Sequence, residues 1–290
     1  MKSSVFNLVL TVFLFWLTIQ LNTSLEEYLA YALIITIGIL HGSNDLALIS
    51  VLKGEKKLSR KYLIYYTVLI LLNIVAFLFS SSLALFFFVI ISCYHFGEQH
   101  FHNQIKQLNT SSRLLFVSYG ALIFGMLFYF NAEQTSIIIK ELIDVSFSRS
   151  HFFWFLITGL VATLCFYVVN FKNFTKNTNH FQEAFLIVLF IVLFDKAALL
   201  WAFSIYFIVW HSIPSLQDQI KVLYGDESKV SFMQYVKSSF VYWLISVAGL
   251  VILYYTTSYF NVDFITVFFA FLAAITVPHV VVMYLMNKEV

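Results

Sequence analysis

Tyr94-His95-Phe96-Gly97-Glu98-Gln99-His100 places two imidazoles and a carboxylate at the end of a long, largely apolar run that begins near Tyr62. A helix needs about 20 apolar residues to cross about 30 Å of hydrocarbon. The run is twice that length, so it reads as two crossings joined at Ser80-Ser81-Ser82. Ionisable side chains at membrane depth are costly, which marks His95 and Glu98 as functional candidates. Three other stretches have the same character: His41-Gly42-Ser43-Asn44-Asp45, Trp210-His211-Ser212-Ile213-Pro214 and Val277-Pro278-His279.

Composition agrees with this reading of the fold. The 290 residues are 61% hydrophobic and 11% charged, with a mean hydropathy of +0.86. Soluble domains carry about 25% charged residues, so this chain is predicted to be an all-α, polytopic integral membrane protein. Residues 1–290 read as a single transmembrane domain with no soluble module. A membrane barrel would show alternating segments of about 10 residues. The net charge of +2 gives no sign of nucleic-acid binding. Cys93 and Cys165 lie in apolar runs and read as reduced packing residues.

About ten spans are expected, at 5–22, 28–51, 62–80, 82–102, 114–131, 151–170, 182–196, 198–215, 236–257 and 264–286. The first resembles a leader segment, with Lys2 before an apolar run. It is long for one and has no small-residue cleavage site, so it is read as a span. The break between the seventh and eighth rests on Asp195-Lys196. The segment 131–150 reads as a connection.

Lysine and arginine bias sets the orientation. Lys53, Lys56, Lys57, Arg60 and Lys61 form the strongest positive cluster and are expected in the cytoplasm. Alternation then puts Lys106, Arg113, Lys172, Lys176, Lys221, Lys229, Lys237 and Lys288 inside as well, and Glu26 and Glu27 outside. Both termini are expected in the cytoplasm and the chain in the cell inner (plasma) membrane.

In that topology His41, His95, His211 and His279 fall on four spans that all run inward, each about 8–15 Å from the cytoplasmic boundary. A histidine cluster toward the cytoplasmic side is therefore expected. Neutral imidazole is the commonest biological metal ligand and suits iron, copper, zinc or nickel. Four imidazoles on an octahedral iron leave open positions. Any one of these histidines alone would read as a helix–helix hydrogen-bonding group; their shared depth favours a common site. His100, His102, His151 and His180 read as interfacial or solvated, although His100 is close enough in sequence to approach the site.

Asp45 follows His41 by four residues and Glu98 follows His95 by three, spacings that share a helix face. Either carboxylate could accept the second N–H of a ligating histidine and fix its tautomer, or be a lone carboxyl. Pro214 and Pro278 are the chain's two prolines, and both fall beside candidate histidines, where they would kink the helix. Gly38, Gly42 and Gly97 would permit close helix approach. Most of the 34 Phe, 17 Tyr and 5 Trp read as packing or lipid-facing. Tyr94 and Trp210, each beside a candidate ligand, are the substrate-binding candidates. No phosphate-binding glycine loop, metalloprotease helix or serine nucleophile elbow is present.

In their order on a chain of this length, His41-Gly42-Ser43-Asn44-Asp45, Tyr94 to Gln99 and Trp210 to Pro214 resemble the Brp/Blh family of bacterial and archaeal membrane proteins. The resemblance runs from about residue 38 to the C-terminus. It implies an iron-dependent β-carotene 15,15′-dioxygenase, which uses Fe(2+) and O₂ to cleave the central double bond into two retinals. A microbial rhodopsin is the implied recipient of retinal. By motif, His41, His95 and His211 match family iron ligands. The family commonly carries a second histidine one turn after the last of these. Here that position is Ser215, which leaves His279 as the candidate fourth imidazole. Leu40 stands where proline is often expected.

The rival readings are a non-catalytic or divergent carotenoid- or rhodopsin-associated protein, a bis-histidine haem electron carrier, and a transporter using Asp45, Glu98, Asp195 and Lys196. Haem would want histidines at two depths, and transport would want charges at several.

Overall fold

The computed structural model describes residues 2–55, 59–260 and 262–289. Lys56 and Lys57 of the positive cluster lie outside the described residues. Every principal element is a helix. In order they are α1 (Lys2–Gln20), α2 (Thr23–Leu33), a π-helical turn (Ile34–Gly38), α3 (Ile39–Gly42), α4 (Asp45–Leu52) and α5 (Arg60–Phe101). There follow α6 (Thr110–Phe130), α7 (Ala132–Ile143), α8 (Arg149–Val169), α9 (His180–Lys196) and α10 (Leu199–Tyr206). A second π-helical turn (Phe207–Ser212) leads into α11 (Ile213–Tyr224), and α12 (Lys229–Phe260) and α13 (Phe264–Glu289) complete the chain.

Among the described residues, seven helical runs are long and apolar enough to cross a membrane. Ten had been expected, and the difference has two sources. The spans at 62–80 and 82–102 form one run, interrupted where Ser80 leaves helical geometry at φ −155° and ψ 73°. Three adjacent serines weaken the helix there by offering side-chain alternatives to backbone bonding, but no polar loop separates the halves. The first and seventh expected spans, α1 and α9, have 19 and 17 residues, and neither is among the seven. The expected break at residues 196–198 is present: α9 ends at Lys196, and Ala197 and Ala198 are extended. The 131–150 connection contains a helix, α7, which sequence reading missed.

The chain divides into two compact units. The first unit takes Met1–Ile34, Ser92–Ile137 and Ser146–Ser212. Its centre is α10, all eight of whose residues are buried, as a helix apolar on nearly every side requires; its one serine, Ser204, donates its hydroxyl to the carbonyl of Trp201 at 2.8 Å. Trp201 donates its indole N–H to Thr18 and Trp210 donates to Thr11, both at 2.8 Å, which fastens α1 to this centre. Glu26, expected in an outer loop, is buried on α2. It accepts the backbone N–H of Ala198 at 2.8 Å, so its carboxylate occupies the start of α10, where helix amides lack partners.

The second unit takes Ile35–Ile91, Ile138–Val145 and Ile213–Val290. Leu48, Val282, Met283 and Met286 form a buried core, with Tyr66, Val222 and Leu223 packed against it. The outer faces stay apolar in both units. Leu72, Phe79, Phe240 and Ile252 are exposed in the second, and Trp154, Leu164 and Val168 in the first. Water does not favour exposed apolar faces of this extent; lipid does.

Candidate metal centre

In the second unit the helix that carries His41 is broken twice. Before it, the π turn at Ile34–Gly38 widens the coil, and Trp243 donates its indole N–H to the carbonyl of Ile35 at 2.8 Å. After it, Ser43 and Asn44 form a turn before α4 begins. Asn44 fixes that turn by donating to the carbonyl of Tyr235 at 3.0 Å and accepting from Ser238 at 3.0 Å. The Tyr235 hydroxyl lies 2.9 Å from the carbonyl of His41 and 2.7 Å from Gln219 Oε1.

These anchors hold His41 buried, with Nδ1 hydrogen-bonded to the carbonyl of Gly38. A carbonyl only accepts, so Nδ1 carries the proton. In the neutral ring this leaves the lone pair on Nε2. His279, on α13 immediately after Pro278, meets His41 edge-on with ring centroids 4.8 Å apart. Its Nδ1 lies 2.9 Å from Oδ1 and 3.1 Å from Oδ2 of Asp45. The carboxylate fixes the same tautomer, with the proton on Nδ1 and the lone pair on Nε2. Asp45 therefore serves the distant histidine, whereas the spacing had pointed to His41. Gly42 lies under the His279 ring, where an added Cβ would be 3.6 Å from Nδ1.

In the first unit His95 and His211 form a second pair, with centroids 4.7 Å apart and planes at 77°. His211 lies within the second π turn, just before Pro214. Proline has no N–H for the carbonyl of Trp210 and its ring crowds that turn, which gives the widening a local cause. π turns of this kind often occur at functional sites. Phe207 stacks on His211 at 5.4 Å and Phe96 packs against it at 4.7 Å.

Glycine brings α5 and α6 into backbone contact beside His95. A Cβ on Gly97 would lie 2.0 Å from the carbonyl oxygen of Phe116, and one on Gly120 would lie 2.0 Å from that of Cys93. Glu98 is buried and accepts the hydroxyl of Tyr94 at 2.8 Å. The polar atoms of both substrate-binding candidates are thus engaged, Tyr94 with Glu98 and Trp210 with Thr11.

The remaining histidines divide. His151 is exposed and caps α8 through Ser148. His180 opens α9 and bonds Tyr167 at 2.7 Å. His100, expected to be interfacial or solvated, is not solvated. Its side chain is buried, with Nε2 2.6 Å from Glu183, and it stacks on Tyr119 at 4.6 Å. Glu183, 83 residues away in sequence, compensates its burial and gave no signal near His100. Ser215 is buried, donating to the sulfur of Met283 at 3.7 Å and accepting from Gln219 at 3.0 Å. Cys93 and Cys165 are both free.

The donor chemistry fits a transition metal. His41 and His279 in the second unit and His211 in the first are buried imidazoles, each with a ring nitrogen of the kind that ligates transition metals. For His41 and His279 the second ring nitrogen is already bonded to an oxygen acceptor, as in ordinary histidine–metal sites.

Apolar helices of membrane-crossing length with interior imidazoles define a polytopic membrane protein with a candidate metal centre. The family model described as beta-carotene 15,15′-dioxygenase matches residues 32–287. The chain belongs to that family. No curated protein and no solved structure matches it.

Proposed function

We propose that the chain is an iron-dependent dioxygenase that cleaves the central 15,15′ double bond of β-carotene, or a related carotenoid, with O₂ to give two retinals. The observation that carries the reading is the family match over residues 32–287, on a chain whose interior histidines are buried and paired. His41, His95, His211 and His279 would hold Fe(2+), with Asp45 and Glu98 supporting them. Bound iron would supply the centre at which O₂ is activated.

The chain's own residues have definite tasks in this reading. Gly38 and Asp45 hold the protons of His41 and His279 on Nδ1 and so present Nε2. Phe96 and Phe207 cover His211 and exclude water. Tyr94 and Trp210 would line the path of the polyene. The substrate is apolar and would enter from the bilayer.

The reading includes one transmembrane domain of residues 1–290 with about ten crossings, in the cell inner membrane and with both termini cytoplasmic. It counts α1, α9 and both halves of α5 as crossings. A microbial rhodopsin is the proposed recipient of retinal.

The test is expression in bacteria that accumulate β-carotene, with extracts assayed for retinal, and a His211→Ala variant run beside the wild type. Retinal from the wild type alone supports the reading. Intact β-carotene beside well-expressed wild-type protein overturns cleavage of that substrate.

A further inference from the structure

Asp45 receives hydrogen bonds from two sides. His279 donates Nδ1–H to it from α13, and the hydroxyl of Tyr66 on α5 donates to Oδ2 at 2.8 Å. Two helices, α5 and α13, thus converge on one carboxylate of α4. The ring of Tyr66 is wedged against the core of Leu48, Val282, Met283 and Met286, so its hydroxyl is aimed by packing.

We infer that Tyr66 is a positioning residue for the proposed metal centre. Its hydroxyl fixes the plane of the Asp45 carboxylate, which in turn fixes the tautomer and ring plane of His279. The inference rests on the metal reading above.

The physical argument concerns torsional freedom. The terminal torsions of aspartate and histidine are broad, roughly two-fold wells. A carboxylate held by one donor can turn about its last bond, and the imidazole can follow it. A second donor on Oδ2 removes that freedom, because Tyr66 cannot move without disturbing the core. A carboxylate so held can meet His279 only through Nδ1–H, which leaves Nε2 of His279 aimed in one direction. Outer partners of this kind orient metal ligands and contribute substantially to affinity. If Tyr66 were only a core side chain satisfying its own hydroxyl, removing that hydroxyl would leave the metal's surroundings unchanged.

The test uses the full-length protein in detergent and Co²⁺ alone as the probe. Wild type, Tyr66→Phe, Asp45→Asn and His279→Ala are compared, with Tyr65→Phe as a control at an exposed neighbouring tyrosine. Affinity, ligand-field bands and the metal-free unfolding temperature are measured for each. Tyr66→Phe is expected to bind about 3- to 10-fold more weakly, the effect of one ordinary hydrogen bond, with shifted or broadened bands. Asp45→Asn is expected to lose about 10- to 100-fold, and Tyr65→Phe to match wild type.

Wild-type bands and affinity in Tyr66→Phe, beside a weakened Asp45→Asn, overturn the role of Tyr66 and leave the metal reading standing. A lower metal-free unfolding temperature with unchanged bands in the folded fraction also overturns it. Failure of the metal reading looks different: wild type and His279→Ala then respond to Co²⁺ identically.

Discussion

His279 donates its Nδ1–H to the carboxylate of Asp45 at 2.9 Å, across 234 residues of chain. The bond ties the start of α4 to the middle of α13 and settles which nitrogen of His279 can serve as a ligand. Asp45→Asn keeps the shape but loses the charge, and its amide nitrogen must face one of two donors. On the proposed reading, in which these histidines hold iron, the iron content of the purified variant should fall about 10-fold, and that of Asp45→Ala about 100-fold, within the range for outer partners of metal ligands. Elemental analysis against protein concentration checks this. Unchanged iron in both variants would remove Asp45 from the site.

The crossing of α5 and α6 depends on the absence of two side chains. Cys93 and Gly97 on α5 meet Phe116 and Gly120 on α6, each pair spaced by four residues. A Cβ on Gly97 would meet backbone atoms of Phe116 at 2.0, 2.5 and 2.6 Å, and backbone cannot rotate away. Gly97→Ala should therefore force the helices apart, costing about 1–3 kcal/mol or more, and should displace His95 two residues away. Gly249→Ala on α12, where a Cβ meets nothing within 4 Å, should leave stability unchanged or slightly higher. Unfolding temperatures in detergent distinguish the two, and equal values would contradict the close packing.

The N-terminal helix contributes to the environment of the candidate ligands. Thr11 accepts from Trp210, the neighbour of His211, and passes its own proton to the carbonyl of Asn7 at 2.7 Å. Thr18 does the same between Trp201 and Leu14. Thr11→Val preserves shape but leaves the buried indole N–H of Trp210 without its acceptor. Intramembrane hydrogen bonds are worth about 0.6 kcal/mol on average and up to about 1.7 kcal/mol, so a loss of that size is expected. Thr18→Val should add to it, because the two sites are about 10 Å apart along the helix. If the helix were instead a cleaved leader, the intact mass of the purified protein would lack it and neither variant would change stability.

The parts of this fold legible in the sequence were those with local causes. Apolar length located the helical stretches, and the breaks at Ser80 and Ala197 fell where polar residues interrupt the run. The helix-breaking residues Gly97, Pro214 and Pro278 had pointed to the neighbourhoods of His95, His211 and His279. Partnerships were illegible because they are made across the chain. Asp45 was placed with His41 by its spacing of four, but the break at Ser43-Asn44 turns the two onto different helices. Tyr66 lies in an apolar run beside another tyrosine, and nothing local distinguishes them. His100 read as interfacial or solvated because its hydrogen-bond partner, Glu183, lies 83 residues further on. Asn44 was visible inside a motif, yet its task of holding a broken helix to α12 depends on Tyr235 and Ser238.

Ser215 occupies the position one turn after His211 where the resemblance leads one to expect a second histidine, and here it is buried between Met283 and Gln219. Its hydroxyl donates to the Met283 sulfur and accepts from Gln219, whose Oε1 faces the Tyr235 hydroxyl at 2.7 Å. Met283 is itself fully buried. Ser215→His alone should therefore add no metal affinity. The larger ring has no room beside Met283 and should cost about 1–3 kcal/mol through overpacking. Ser215→Ala should lose about 1 kcal/mol, the worth of an ordinary hydrogen bond. The double variant Ser215→His with Met283→Ala opens the space the ring needs and should bind Co²⁺ more tightly than the Ser215→His single variant, at a stability below that of wild type because Met283 leaves the core. Calorimetric titration of the purified proteins with Co²⁺, beside their unfolding temperatures, decides the matter. A single Ser215→His variant that is stable and binds more tightly would mean that Met283 does not block this position.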